Sequence, residues 1–492
     1  MTKKTILNPQ KILFVIPKLK NMFGGKGGVP GHPHVGIASL TSFLLTNGFP
    51  KSHIVIYDEG VEESSDGLKR MIHSFRPDII GITTFSYCYV SVLDTIRRVS
   101  RTTKTPIIVG GPHVSAVKRQ VLEENPKVAY AVKGEGEHTF FELLTALRGK
   151  RKDLSGIHGL IWRKGKVVVE NIDRPFLKDV NSLPFPKYEL FNISSYPCYE
   201  SKSLPILTSR GCPYGCNYCS VKLSMGRGFR PRSSQNVIKE IGYWYKRGFT
   251  SFSINDDCFT LDLDRAEKIC DLIIKAKMRI KINLYNGIRV DRITPKLLRK
   301  LKKAGCVFIA YGCEAGNQET IDTINKNIKL EQVVRAVNWT NKVGIKNAVN
   351  FIVGHENETF ERAMDSVRFA ETLKCGFVNF YNLVPYPGTK VYEWAVKNAH
   401  FLYPKETFLK NISYRDNSPI FETKEFTKAQ RETVMKKGFN LYEKKLLQLR
   451  LGKIAGTIGY LVTRPRPLHD MSIKIISSRL GWKVYSRFSN QA

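Results

Sequence analysis

Arg210-Gly211-Cys212-Pro213-Tyr214-Gly215-Cys216-Asn217-Tyr218-Cys219-Ser220 decides how this chain is read. Three cysteines at a CxxxCxxC spacing follow a short apolar run, Leu204 to Leu207, that has the composition of a strand. Glycine and proline between the first two cysteines let the backbone fold tightly, so three sulfurs can converge on one centre. A structural zinc wants a fourth ligand to complete its tetrahedron, and no cysteine or histidine follows nearby. Iron–sulfur clusters are held by thiolates. A three-cysteine loop leaves one iron of a 4Fe-4S cluster open to a substrate or cofactor. A zinc knuckle and three unrelated buried thiols are the alternatives.

These residues resemble the radical S-adenosylmethionine (radical SAM) superfamily, whose hallmark is CxxxCxxC after the first barrel strand; Tyr218, just before the third cysteine, fits as well. The resemblance implies that Cys212, Cys216 and Cys219 hold a 4Fe-4S cluster and that SAM chelates the open iron. It also implies a 5′-deoxyadenosyl radical and an electron donor such as ferredoxin or flavodoxin.

A length of 492 residues predicts two or three domains. The ten cysteines are scattered and form no paired framework, which points to a reducing compartment. No signal peptide and no run near ~20 apolar residues is present, so the expected location is cytoplasmic. The formal charge of +35 suits nucleic acid, an anionic membrane surface or a polyanionic substrate; a generally lysine-rich proteome would also produce it.

Residues 1–150 alternate strand and helix patterns. Apolar runs at Ile12–Ile16, Ile54–Tyr57, Ile79–Ile82, Ile107–Val109 and Val128–Val132 predict a doubly wound parallel sheet, which binds ligands at the carboxyl ends of its strands. Two glycine-bearing loops stand at such ends, Gly110-Gly111-Pro112-His113 and Gly134-Glu135-Gly136-Glu137. With Pro33-x-x-Gly36 and the run from Pro77 to Ile82, they resemble the cobalamin-binding domain fused to many radical SAM enzymes. An Asp-x-His-x-x-Gly motif is absent, so the resemblance implies cobalamin held without a histidine below the metal. Gly110, Gly111, His113, Gly134 and Glu135 are the expected contacts, with His32 and His34 as further candidates. A domain that kept the fold and lost the cofactor is the alternative. The cluster Gly24–Gly28 lacks the ending of a phosphate loop and is expected to be a mobile loop near the cofactor.

Residues 151–202 form a linker with a hairpin at Leu160–Val169. From 203 to 400, six strand patterns separated by helices predict a partial (β/α)6 barrel, fewer units than a closed barrel of eight. Polar groups cluster after these strands: Asn255-Asp256-Asp257-Cys258-Phe259, Asn286 to Arg289, Gly312-Cys313-Glu314, Gly354-His355-Glu356 and Pro385 to Thr389. By resemblance, Gly312, Glu314, Arg289 and Asn283 contact SAM. Cys258 and Cys313 are small hydrophobes by default, although a thiol near a substrate radical could donate a hydrogen atom.

Residues 401–492 form a basic helical extension. From Lys428 onward, 14 Lys/Arg stand against three Asp/Glu, a net +11. Leu446–Leu461 is expected to be one amphipathic helix with a basic rim, suited either to a membrane interface or to packing on the barrel. Ile473–Trp482 repeats the pattern.

The order of segments resembles cobalamin-dependent radical SAM proteins, the class of anaerobic tetrapyrrole cyclases and hopanoid methylases. The expected activity is C-methylation of an unactivated carbon in a hydrophobic metabolite or lipid. Radical cyclisation or oxidation of a tetrapyrrole-like or other small molecule is the alternative, and radical tRNA modification a third. Against nucleic acid, the basic residues interleave with aliphatics rather than stacking aromatics.

Overall fold

The computed structural model describes residues 10–18, 31–62, 64, 66–405, 407–411 and 418–463. The expectations for Gly24–Gly28 and Ile473–Trp482 lie outside these residues.

Short apolar runs flanked by helices build the first sheet. Its strands are β1 (Ile12–Ile16), β2 (Ile54–Asp58), β3 (Ile79–Thr83), β4 (Ile107–Gly110), β5 (Val128–Val132), β6 (Leu160–Lys164) and β7 (Val167–Glu170). Their order is β2-β1-β3-β4-β5-β6-β7. The first five are parallel, and the hairpin β6–β7 adds antiparallel. Helices α1 (Val35–Thr46), α2 (Gly67–Phe75), α3 (Tyr89–Thr102), α4 (Pro112–Val117), α5 (Gln120–Glu123) and α6 (Gly136–Arg148) connect them. Covered on both faces, β1 and β3 are buried at every residue, hence their unbroken hydrophobicity. The chain reverses direction across the sheet between β1 and β3, the crevice where doubly wound sheets take ligands.

The crossing from 171 to 202, which ends in α7 (Pro197–Glu200), is stitched to both sheets. Ser42 Oγ donates to Phe185 O (2.6 Å), Tyr188 Oη to Pro205 O (2.8 Å), and Tyr196 Oη to Asp58 (2.6 Å).

The second sheet contains β8 (Ser203–Ile206), β11 (Ser251–Ile254), β12 (Lys281–Ile288), β13 (Cys306–Glu314), β14 (Lys346–Val353) and β15 (Phe377–Asn382). All neighbours are parallel, and the sheet is open because β8 and β15 are its two edges. Between β8 and β11 lie the two-residue strands β9 (Ser209–Arg210) and β10 (Arg230–Pro231), then helix α9 (Ser234–Tyr245), with α8 (Val221–Ser224) inside the loop that β9 and β10 bracket. The remaining helices are α10 (Leu263–Lys275), α11 (Pro295–Lys303), α12 (Gln318–Thr323), α13 (Leu330–Lys342), α14 (Phe360–Thr372) and α15 (Lys390–Asn398). Ser233, Asp262, Thr294, Thr359 and Thr389 each cap a helix by accepting from a backbone N–H three residues on.

Strands β12 and β13 run further than the sequence suggests, taking in Asn286–Ile288 and Gly312–Glu314. Register shifts, with Gly287 and Glu314 at positive φ (87° and 74°), let them bend while still pairing.

After β16 (His400–Phe401) and β17 (Phe421–Glu422), the 24-residue α16 (Lys428–Leu451) packs on β15. A Cβ on its Gly438 would lie 2.5 Å from the Phe380 ring, so glycine is what allows this approach. The single helix expected over Leu446–Leu461 is broken. Gly452 (φ +83°) ends α16, and α17 (Lys453–Thr463) folds back so that Gly456 meets Gln448.

Candidate active site

The cysteine loop is held from several sides. Gly211 takes φ +83°, and a Cβ there would meet Gly228 O at 2.3 Å, so the loop crosses itself at a point only glycine fits. Its N–H donates to Asp257 Oδ2 (3.2 Å), while Asp256, buried after β11, accepts from Thr208 N–H and Ser209 Oγ (2.6 Å). Asn325 Nδ2 donates to Gly215 O (3.1 Å), and Asn217 Nδ2 to Glu356 (3.0 Å). Cys212, Cys216 and Cys219 are partly exposed, whereas the other seven cysteines are buried, and all ten are free thiols. Cys258 hydrogen-bonds Cys212 and draws its thiol down to about 7; burial pushes Cys219 up to about 11. No three His, Cys, Asp or Glu among the described residues converge on a point for one metal ion. A cluster needs no such point, because each of three irons takes its own thiolate. The donor set therefore fits a 4Fe-4S cluster.

Beside the loop, at the carboxyl ends of β13 and β14, lies a buried polar group. Glu314 pairs with Lys326 Nζ (2.9 Å), which also reaches Tyr218 Oη (3.2 Å). Burial opposes the Lys326 charge, but the Glu314 carboxylate outweighs it and holds the ammonium above its usual range. Gly312 makes room for the pair: a Cβ there would lie 2.5 Å from Glu314 Oε1 and 3.2 Å from Lys326 Nζ. His355 sits 5.7 Å from the Tyr218 ring, and burial lowers its pKa to about 4.

Sequence reasoning missed Lys326. The signal was the run Asn325-Lys326-Asn327, whose asparagines both take φ near +55° (56° and 54°). The other expected SAM contacts are placed differently. Arg289 lies 3.6 Å over the Tyr214 ring and spends its guanidinium on Asp291 and the Lys326 and Asn327 carbonyls, which fixes the underside of the loop. Asn283 donates to Ser251 Oγ (3.4 Å) at the first residue of β11, away from the loop. Cys313 points into the core and donates to Ala315 O.

Across from the loop, two adjoining cavities of about 250 and 340 Å³ open at the carboxyl ends of the first sheet. They share His34, Gly36, Thr83, Phe85 and Leu207. The first runs inward past Gly81, Gly110, Gly111 and Gly134 to Phe14 and Phe140, with Arg210, Ser224 and Met225 on its other wall; the second reaches Tyr87 and Asn255. Gly111 (φ +121°) is packed so closely that a Cβ would meet Thr84 O at 2.5 Å. His34 accepts from Ile37 N–H (3.1 Å) through Nδ1, so Nε2 carries the proton toward Thr83 Oγ (3.1 Å). His113 turns aside, 3.0 Å from Ser86 Oγ and with its ring 3.9 Å from that of Tyr89. Burial lowers both histidines to about 4, so both are neutral at pH 7. Hydrogen-bonded or turned aside, neither is poised as a metal ligand, and the glycine-lined slot fits a large flat corrinoid held without histidine. Glu135 does not line the slot with a free carboxylate: Arg210, Arg230 and Leu177 N–H consume it.

A profile of the B12 binding domain matches residues 28–144, and one of the radical SAM superfamily matches residues 206–370. An uncharacterized methyltransferase of Pyrococcus horikoshii is 30% identical over 436 residues, 87% of this chain and 91% of that protein. The chain belongs to the cobalamin-binding radical SAM enzymes. The anaerobic magnesium-protoporphyrin IX monomethyl ester cyclase of Rubrivivax gelatinosus is 26% identical over 418 residues, 82% of this chain and 74% of the cyclase. The fold matches the radical SAM methyltransferase TsrM of Kitasatospora setae, solved with cobalamin and a [4Fe-4S] cluster. The TM-score is 0.66 at 19% identity, covering 78% of this chain and 74% of TsrM. The enzyme's cofactors are accordingly a 4Fe-4S cluster, SAM and cobalamin.

Proposed function

We propose that this radical SAM enzyme C-methylates an unactivated carbon of a hydrophobic metabolite or lipid. The observation that carries the proposal is the shared wall: Leu207, Arg210, Ser224 and Met225, which flank or belong to the cysteine loop, close the cavity on the first sheet. When bound, the cluster and SAM supply a 5′-deoxyadenosyl radical and the corrinoid a methyl group. A substrate in the 340 Å³ cavity, against Phe85, Tyr87 and Leu207, would reach both.

In this reading Cys212, Cys216 and Cys219 ligate the cluster. Lys326 and Glu314 offer an ammonium and a carboxylate to the zwitterionic end of SAM, and Tyr218 excludes water beside them. Gly110, Gly111 and Gly134 let the corrinoid approach the backbone. Residues 1–150 act as the cobalamin domain and 203–400 as the radical barrel. The relatives named methyltransferases support methylation; likeness to the Rubrivivax cyclase supports a radical cyclisation or oxidation as the second reading.

The test uses full-length protein, reconstituted anaerobically and given SAM deuterated on its methyl group, a reductant and an apolar extract of the source cells. A product carrying the deuterated methyl is expected. Deoxyadenosine and a changed product without the label would select the second reading. No deoxyadenosine under any condition would defeat both.

The tail supports a peripheral role at an anionic membrane. Ile454, Ile458, Leu461 and Val462 form one face of α17 and are each more than half exposed, with Arg450 and Lys453 exposed beside them. No helix among the described residues is long and apolar enough to cross a bilayer.

A further inference from the structure

All three cysteines lie between residues 211 and 229, and this stretch is closed at its base by one short ladder. In that ladder Arg210 of β9 stands directly opposite Arg230 of β10. Side chains of directly opposed residues leave an antiparallel pair on the same face, and both guanidinium groups converge on Glu135. Arg210 reaches Glu135 Oε1 at 2.8 Å, and Arg230 reaches Oε1 and Oε2, each at 2.8 Å. Arg210 also bridges to Glu137 Oε1 (2.6 Å). Arg230 is anchored on its own loop as well, donating to Met225 O (2.7 Å).

The two carboxylates flank Gly136, the first residue of α6, and the backbone from Gly134 to Glu137 lines the 250 Å³ cavity. Two arginines at the root of the cysteine loop thus meet two glutamates at the rim of the corrinoid slot. The formal charges cancel, and all four side chains are nearly buried, at 8 to 11% exposure. Such a network tolerates few arrangements, because drawing the loops apart strands a charge where water cannot reach it. A ligand that fixes one loop thereby restricts the other.

We propose that Arg210 and Arg230, acting as positioning residues through Glu135 and Glu137, make loading of the two cofactor sites cooperative. Cluster assembly sets the Arg210–Arg230 spacing, which sets the rim of the slot and tightens corrinoid binding there. Linkage requires the reverse effect to be of equal size. The proposal rests on the assignment of the cysteine loop to the cluster and of the slot to the corrinoid.

The test is equilibrium dialysis of hydroxocobalamin against the full chain, iron-free and reconstituted, with bound cobalt measured directly. Wild-type protein is expected to bind roughly five-fold or more tightly once reconstituted. Arg230→Lys, whose residue does not line the slot, should bring that ratio close to one while leaving the iron-free affinity near wild type, and Glu137→Gln should likewise lower the ratio. A merely structural role would weaken both states alike and leave the ratio intact, which would overturn the proposal. So would a wild-type ratio of one. Should Glu137→Gln fail to fold, Arg230→Lys, which keeps the charge but loses the fork, decides alone. Wild-type protein that binds no hydroxocobalamin in either state would defeat the site assignment and the coupling together; binding without a change in ratio would defeat only the coupling.

Discussion

The two walls of the site solve different problems. The corrinoid side is a slot of glycine backbone and apolar side chains, and the histidines at it are kept neutral by burial. The cysteine side is a mesh of paired charges: Arg210 with Glu135 and Glu137, Lys326 with Glu314, Arg289 with Asp291. A large flat macrocycle needs room and shape. A cluster loop that must hold three sulfurs still needs directional ties, and a zwitterion needs charges already in place. The comparison teaches that shape defects should cripple the first wall and charge defects the second.

The sharpest break on the charged wall is Cys216→Ala. Reconstituted iron should fall steeply and deoxyadenosine formation should drop by orders of magnitude, while the melting of the iron-free protein changes little because Cys216 is partly exposed. Full iron and undiminished deoxyadenosine would show that the loop holds no cluster.

Next in size is Lys326→Met, which leaves Glu314 buried and unpaired. Removing one partner of such a pair costs about 3–5 kcal/mol, and denaturant unfolding would register it. The double variant Lys326→Met/Glu314→Gln should recover much of that stability yet bind SAM no better. If SAM affinity returned with stability, the pair would be a structural tie rather than part of the SAM site.

Acid probes the corrinoid wall through its histidines. His34 and His113 titrate near 6.5 when unfolded but only at about 4 when folded. Between those values the unfolded chain binds more protons, so their contribution is full above about 6.5 and is lost as pH falls toward 4. Each shift corresponds to roughly 3 kcal/mol. Asp58, which lines the second cavity and is pushed up to about 6 by burial, works the other way over much of that window. His355, at about 4, adds to the loss, while Asp257 at about 6 and Glu358 at about 7 offset it, so each histidine is read through its own variant. Glu137 moves oppositely: burial would raise its pKa, but Arg210 dominates and lowers it, so its contribution persists down to about 4.5. Urea midpoints measured from pH 7 to 4.5 should shift in favour of His34→Gln relative to wild type as the pH falls. An equal change in both would locate the acid sensitivity elsewhere.

Shape is tested by two glycines of the slot. Gly111→Ala combines φ +121° with a backbone clash at 2.5 Å and should cost about 2–3 kcal/mol together with hydroxocobalamin affinity. Gly134→Ala also has positive φ (+71°) but open space around its Cβ, so about 1 kcal/mol is expected. Equal effects would mean that backbone strain, not crowding, governs the slot.

How much of this was legible in sequence follows the same division. The strands were legible because two-sided burial demands unbroken runs such as Ile12–Ile16. The cysteine spacing was legible because its geometry is local. Glu135 looked like a ligand-facing loop residue because nothing local reveals that Arg210 and Arg230, 75 and 95 residues away, claim its carboxylate. Lys326 was missed, and the turn of His113 toward Ser86 was not foreseen, for the same reason. A side chain's partner across the fold is set by sheet order and register, which periodicity does not encode. Even the broken tail helix turned on one residue, Gly452, read as a helical position.

The smallest expected effect on stability concerns α17. Ile454 is 79% exposed and Ile458 57% exposed, so changing both to Asp removes little packing from the described fold, and the melting temperature should stay within about 2 °C. Flotation of the full chain with phosphatidylglycerol vesicles should nevertheless be lost, because two charges are set on the apolar face of α17, beside Arg450 and Lys453. Wild-type protein should float with phosphatidylglycerol but not with phosphatidylcholine, and less at high salt. If instead the double variant melts far lower, the face is covered by residues of this chain beyond 463, and the apolar stripe belongs to its core rather than to a membrane. Binding to both lipids alike would leave burial of the stripe as the driving force and remove any role for the tail's net +11.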